Sequence, residues 1–192
     1  KTRLFQKLDI NHSSQKRYIY DIFEDDKHNI WLGGIIDGLF CLNTETGQTN
    51  EYAMKGVNSI VQTNLDTLIM ATARGVLFFD KKTGTSNYTD FRKLEGNKLR
   101  VSYPLANVIC KDPRDSNLVW IGFETEGLVR FNISQQTITQ FSTKEGLSSN
   151  TIYGIVADQD NRLWISTEDG LNCLDTDLLQ INVFQTIDGL PS

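Results

Sequence analysis

An apolar strand centred on Trp, then six or seven residues to a glycine, then a second apolar strand: this phrase recurs along the 192-residue chain. It runs from Ile30-Trp31-Leu32 to Gly38-Leu39, from Val119-Trp120-Ile121 to Gly127-Leu128, and from Leu163-Trp164-Ile165 to Gly170-Leu171. A fourth copy, Leu68-Ile69-Met70 to Gly75-Val76, places Ile69 where the others have Trp. The landmarks are spaced by about 40 to 50 residues, the size of a four-stranded blade. A unit that small cannot bury its own apolar faces, so it must stack on its neighbours.

Each unit opens with an apolar strand, as in Tyr20-Asp21-Ile22-Phe23 or Tyr153-Gly154-Ile155-Val156, and turns through an Asp/Asn-rich segment such as Asp25-Asp26-Lys27-His28-Asn29 or Asp158-Gln159-Asp160-Asn161. Asp and Asn tolerate left-handed backbone and bond their own main chain, so these clusters predict hairpins. Apolar residues flank each Trp on both sides, which predicts a sheet covered on both faces. After the glycine come a third apolar strand and a more polar fourth, ending at Tyr52, Tyr88, Phe141 or Phe184. A polar outermost strand suits an edge that must not recruit other chains.

The fold class this predicts is all-β, a β-propeller of four-stranded antiparallel blades. Blades are expected over 18–56, 57–102, 103–149 and 150–192, the second carrying an insertion at 89–102. Residues 1–17 read as the outer strand of a preceding blade, because Leu4-Phe5-Gln6-Lys7-Leu8-Asp9 matches Val183-Phe184-Gln185-Thr186-Ile187-Asp188. Asp188-Gly189-Leu190 likewise repeats the connector Glu145-Gly146-Leu147, as if a further blade followed. The expectation is therefore an incomplete propeller. Its end blades should expose apolar faces, and two copies meeting head to tail would close a ring of eight.

With 19 Lys and Arg against 24 Asp and Glu, a net charge of −5 offers no attraction to nucleic acid. No apolar run reaches the ~20 residues of a spanning helix, so this segment is not expected to insert in a membrane. Cys41, Cys110 and Cys173 form no C-x-x-C pair, and Cys41 and Cys173, each three residues after a repeat glycine, read as apolar fillers. The insertion, with Arg92, Lys93, Lys98 and Arg100 against Asp90 and Glu95, reads as a solvated basic loop, a ligand-side loop being the sharper alternative.

Catalytic chemistry finds little footing. His12 and His28 both stand in polar turns, and no G-x-S-x-G or phosphate-cradling glycine pattern occurs. Asp158-Gln159-Asp160-Asn161 departs from a calcium loop, with Leu163 at the position of the sharp-turn glycine and Asp169 at the twelfth. No catalytic residue, metal or cofactor is expected. Trp31, Ile69, Trp120 and Trp164 read as inter-blade core, and Gly38, Gly75, Gly127 and Gly170 as structural repeat residues. If a ligand binds, propeller geometry points to the rim shared by the second-to-third-strand turns and the blade connectors. Asp37, Arg74, Glu126 and Asp169 precede the repeat glycine there, and Arg74 is the single cation among them.

The stretch from Asn150 to Leu171, with the ending Phe184-Gln185-Thr186-Ile187-Asp188-Gly189-Leu190-Pro191-Ser192, resembles the two-component regulator propeller repeat. Units one and three keep the Asp turn, Trp and Gly-Leu elements, while unit two keeps the strand rhythm and Gly75. The resemblance implies a periplasmic sensor region of a Bacteroides-type hybrid two-component histidine kinase, which detects glycan fragments to control polysaccharide-utilisation genes. It further implies an oligosaccharide ligand, other blades of the same parent chain and a homodimeric parent sensor as partners, and no catalysis by this segment. Two rival readings are a propeller lyase or lactonase, needing a metal and a base at the channel, and a protein-interaction scaffold.

Overall fold

The computed structural model describes residues 18–34, 38–54, 56–94 and 105–189. The expected strand at 4–9, Asp37, most of the insertion and the final Leu190-Pro191-Ser192 lie outside the described residues. Among the described residues, sixteen strands form four antiparallel four-stranded sheets, each a meander of consecutive strands.

Blade 1 holds β1 (Ile19–Glu24), β2 (Ile30–Gly34), β3 (Leu39–Leu42) and β4 (Thr49–Tyr52). Blade 2 holds β5 (Val57–Asn64), β6 (Thr67–Thr72), β7 (Gly75–Asp80) and β8 (Ser86–Tyr88). Blade 3 holds β9 (Ala106–Lys111), β10 (Leu118–Phe123), β11 (Leu128–Asn132) and β12 (Thr137–Phe141). Blade 4 holds β13 (Ile152–Ala157), β14 (Arg162–Thr167), β15 (Gly170–Asp175) and β16 (Ile181–Phe184). First strands of successive blades pack on one another, β1 on β5, β5 on β9 and β9 on β13, as the inner wall of a propeller requires.

The blades superimpose residue by residue in their pairing. Ile22 pairs with Leu32, Ile60 with Met70, Ile109 with Ile121 and Ile155 with Ile165. A register shift one or two residues earlier recurs in all four pairs, so the inner strand kinks at the same place each time. His28 and Asn161, matched in sequence as hairpin residues, both adopt left-handed backbone, at φ 59° and 62°.

Stacking creates three apolar layers. Trp31, Leu39 and Cys41 of blade 1 meet Val57, Ile60, Leu68, Met70, Leu77 and Phe79 of blade 2. Val61, Ile69, Ala71 and Val76 of blade 2 meet Ala106, Ile109, Ile121, Phe123 and Phe131 of blade 3. Trp120, Leu128 and Phe141 of blade 3 meet Ile152, Ile155, Leu163, Ile165 and Leu174 of blade 4. Burial of this kind contributes about 25 cal/mol per Å² of apolar surface and is the main force joining the units.

Closeness of approach is set by one position on the second strand. A β-carbon added at Gly33 would fall 2.6 Å from Val57 Cγ1, and one at Gly122 would fall 2.5 Å from Ile152 Cγ2. Where the facing residue is the smaller Ala106, blade 2 carries Ala71 instead, both fully buried. Polar links reinforce the inner wall: Asn58 Nδ2 donates to the Ala106 carbonyl at 2.8 Å and Asn107 Nδ2 to the Ile152 carbonyl at 3.0 Å.

Two expectations need correction. The described start of the insertion is not a solvated loop: a 3-10 turn, Phe91–Lys93, drives Phe91 and Leu94 into the layer between blades 2 and 3. Phe91 meets Phe123 edge-on with ring centres 5.6 Å apart. Spaced three residues apart, two apolar side chains share one face of such a turn, which is why a stretch that is charged on average still plugs the core. Trp164, expected in the core, is only half-buried, since among the described residues no further blade packs on its face.

Candidate ligand-binding rim

The two ends of the blades differ in construction. At one end lie the hairpins between first and second strands and between third and fourth; at the other lie the second-to-third-strand turns and the connectors between blades.

The hairpin end is locked by a contact between the Asp turn and the Trp. Asp25 Oδ2 accepts the Trp31 indole N–H at 2.9 Å, Asp112 Oδ2 that of Trp120 at 2.7 Å, and Asp158 Oδ2 that of Trp164 at 2.9 Å. The same carboxylates accept turn N–H groups, from Lys27 and Asn29 in blade 1, Arg114 and Asp115 in blade 3, and Asp160 and Arg162 in blade 4. One side chain thus shapes the hairpin and satisfies a buried indole that would otherwise lack a partner.

Charge follows this geometry. Burial alone would push the Asp25 carboxyl up, but hydrogen bonds from Trp31 and Asn29 and the Lys81 ammonium outweigh it and hold the group far below the usual carboxylate range. Asp158 is lowered to about 2, chiefly by the Arg162 backbone N–H and further by the Trp164 indole and the Arg162 guanidinium. Lys81 comes from blade 2 and bridges to blade 1, its Nζ 3.1 Å from Asp25 and 2.9 Å from Asp26. A carboxylate engaged this fully is a structural group, unsuited to proton transfer.

At the opposite end the repeat glycines take left-handed backbone, Gly38 at φ 95°, Gly75 at 103°, Gly127 at 76° and Gly170 at 121°. Space as well as angle demands glycine. A β-carbon at Gly127 would sit 2.3 Å from the Phe141 carbonyl oxygen, and one at Gly170 would sit 2.5 Å from that of Phe184. This close pass of the outer strand's end explains why glycine and the terminal aromatic repeat together. The preceding threonine finishes the turn: Thr72 Oγ1 donates to the Gly75 carbonyl at 2.8 Å and accepts the Arg74 N–H, and Thr167 does the same for Gly170 and Asp169.

Arg74, Glu126 and Asp169 therefore stand at matching places on one rim, each on its own blade. The described geometry does not gather the three into one pocket. Asp169 and Glu126 serve the outer strands through their carbonyls, which accept Gln185 Nε2 at 3.4 Å and Gln140 Nε2 at 2.8 Å. Arg74 borders a groove, of about 370 Å³, whose other walls are Ala53, Met54, Leu77, Ser86 and Tyr88. Its guanidinium has no hydrogen-bond or ion-pair partner among the described residues. The groove joins a cation, a hydroxyl, an aromatic ring and apolar walls, a combination that suits a polar ring-shaped ligand carrying negative charge.

Sequence reasoning did not find Met54 and Ser86, since they come from the connector after blade 1 and from the outer strand of blade 2. It also missed Asn172, fully buried, which accepts the Ser148 N–H at 2.9 Å and donates to Ser148 Oγ at 2.8 Å, pinning the connector ahead of blade 4. Among the described residues no group of three or more His, Cys, Asp and Glu is arranged to hold a metal, and no helix is long and apolar enough to cross a membrane.

No curated protein sequence matches the chain. The family model described as two component regulator propeller matches residues 146–169, the connector and first half of blade 4. Among solved structures, the chain is similar to an extracellular domain assigned to the hybrid two component system BT4673 of B. thetaiotaomicron, with TM-score 0.71, 20% identity, and 91% of this chain and 22% of that one covered. It is similar to another such domain from the same organism, BT3049, with TM-score 0.71, 17% identity, and 93% and 25% covered. The β-propeller domain of Cps50 (Swd1) from Myceliophteria thermophila aligns with TM-score 0.60, 12% identity, and 90% and 56% covered. The chain spans about a quarter of the length of the bacterial domains it resembles. The described residues thus form four antiparallel blades of an incomplete, all-β propeller, and residues 146–169 match the two component regulator propeller model.

Proposed function

We propose that this chain is a non-catalytic, ligand-binding portion of an extracytoplasmic sensor of the hybrid two-component type, and that the ligand is a glycan fragment. The repeat match and the bacterial sensor domains of the same fold support the sensor role. The observation that carries ligand binding is the Arg74 groove, lined by an arginine whose guanidinium has no partner among the described residues, by Tyr88 and by apolar side chains. A uronate or sulfated sugar would place its anion on Arg74, stack a ring face near Tyr88 and meet the Ser86 hydroxyl.

Isothermal titration of the chain with neutral, uronate-containing and sulfated oligosaccharides tests this. Binding of an acidic member is expected, weakened at least about tenfold by Arg74→Ala, the loss of one charge-assisted contact. Silence across the whole panel, or binding indifferent to Arg74→Ala, would refute the assignment of the groove.

A further inference from the structure

Blade 2 departs from the repeat at a pair of positions. In the other blades the aromatic that ends the outer strand lies by that blade's Trp: ring centres are 5.9 Å apart for Trp31 and Tyr52, 5.7 Å for Trp120 and Phe141, and 5.7 Å for Trp164 and Phe184. Blade 2 has Ile69 in place of the indole, and Phe91 shares the apolar layer with it. Its terminal aromatic, Tyr88, is 39% exposed, against 5% for Phe141 of blade 3. Blades 2 and 3 both have neighbours on either side, so the difference belongs to blade 2 itself.

Tyr88 lines two grooves, the one bordered by Arg74 and a second of about 510 Å³ that reaches across to Gln136 of blade 3. Ser86 lines the first and Asn87 the second. Consecutive residues of a strand face opposite sides of a sheet, so β8 has a groove on each side and Tyr88 at its end is common to both. The second groove has apolar walls in Phe78 and Leu94 and a cation of its own, Lys93. The Lys93 ammonium, like the Arg74 guanidinium, has no hydrogen-bond or ion-pair partner among the described residues. Asp90, which also lines this groove, is engaged in an interaction of its own. Gln136 donates from Nε2 to the Ile133 carbonyl at 2.6 Å and keeps its amide oxygen as an acceptor, while Asn87 offers both a donor and an acceptor to sugar hydroxyls.

We infer that the two grooves are one extended site, a conclusion that rests on the acidic-glycan reading of the Arg74 groove. Its ligand is an oligosaccharide with an acidic group at each end of a stretch that crosses Tyr88, one anion on Arg74 and the other on Lys93. A single acidic sugar reaches one cation only. Once one end is held, the second contact is intramolecular, so the site reads ligand length as well as charge.

Isothermal titration of the chain with oligogalacturonates and with sulfated galacto-oligosaccharides, each from one to four units long, tests this. Affinity should rise with length until the ligand meets both cations, by about tenfold or more for the second charge-assisted contact, and then level off. Lys93→Ala, at an exposed site, should remove that gain while leaving the affinity for the single acidic unit unchanged, and Lys93→Arg should keep it. Arg74→Ala should weaken ligands of every length. Unchanged circular dichroism would show that the variants remain folded. Binding that is independent of length, lost in Arg74→Ala and untouched by Lys93→Ala would overturn the extended site and leave the Arg74 groove standing. Silence from both series at every length would overturn the two together.

Discussion

Replacing Lys81 with Met strands a buried anion between blades 1 and 2. The Lys81 side chain is 8% exposed and that of Asp25 is 1% exposed, so their 3.1 Å contact is out of reach of water that would screen it, while Asp26 at 2.9 Å keeps 30% exposure. Removing one partner from a buried ion pair costs about 3–5 kcal/mol, because the other charge keeps its desolvation without its counter-ion. Asp25 retains hydrogen bonds from Trp31, Asn29 and Lys27, which brings Lys81→Met below that range, to about 2–3 kcal/mol. With a urea dependence of about 2 kcal/mol per molar, the unfolding midpoint should fall by roughly 1–1.5 M. Adding Asp25→Asn to Lys81→Met should cost less than the sum of the two single changes, since the stranded charge is then gone. The assay is urea unfolding followed by tryptophan fluorescence, to which Trp31 reports directly. A loss below about 0.5 kcal/mol, the level of an exposed surface pair, would refute the bridge.

Glycine at the repeat position is required by space as well as by φ, and the comparison with Gly47 separates the two. Gly127→Ala should destabilise by about 2–4 kcal/mol, from left-handed strain plus the collision with the Phe141 carbonyl, and lower Tm by roughly 10 °C. Gly47→Ala, at a similar φ of 72° with nothing within 4 Å, should cost only about 1 kcal/mol; equal losses in thermal melts would refute the close-approach argument. Acid should weaken the hairpin end in a defined window. Asp158 has a folded-state value of about 2, below its value of about 3.8 when unfolded, so its contribution is present above pH 4 and is lost as pH falls towards 2. Asp158→Asn should flatten the stability profile between pH 4 and 2, and an unchanged slope there in urea titrations at stepped pH would contradict the Asp158–Trp164–Arg162 arrangement.

How far the residues alone could go differs from element to element. The strand rhythm was legible because a strand's side chains report its two faces, and a sheet covered on both sides leaves apolar neighbours around Trp31, Trp120 and Trp164. Asp25 and Trp31 were each visible as parts of a repeated phrase. Their hydrogen bond was not, because it depends on the hairpin folding the carboxylate back over the indole. Lys81 gave no signal at all, since a lysine in a polar turn looks solvated until the neighbouring blade brings two carboxylates to it. Phe91 and Leu94 were hidden by the charges around them. At the rim, Arg74 was conspicuous as the lone cation among equivalent positions, while its groove is walled by Met54 and Ser86, which no local pattern connects to it.

The amino-acid order by itself determined the period, the strand succession within each unit and the glycine at every tight pass, because these depend on side-chain alternation and backbone angles within a few residues. Only tertiary structure decided which of the equivalent side chains are buried, which carboxylate meets a lysine from the next blade, and which arginine borders a groove. The physical reason is that a blade's surface acquires its environment from the sheet stacked against it: the same isoleucine is core at position 60 and solvent-facing at position 22 according to whether a neighbour is there.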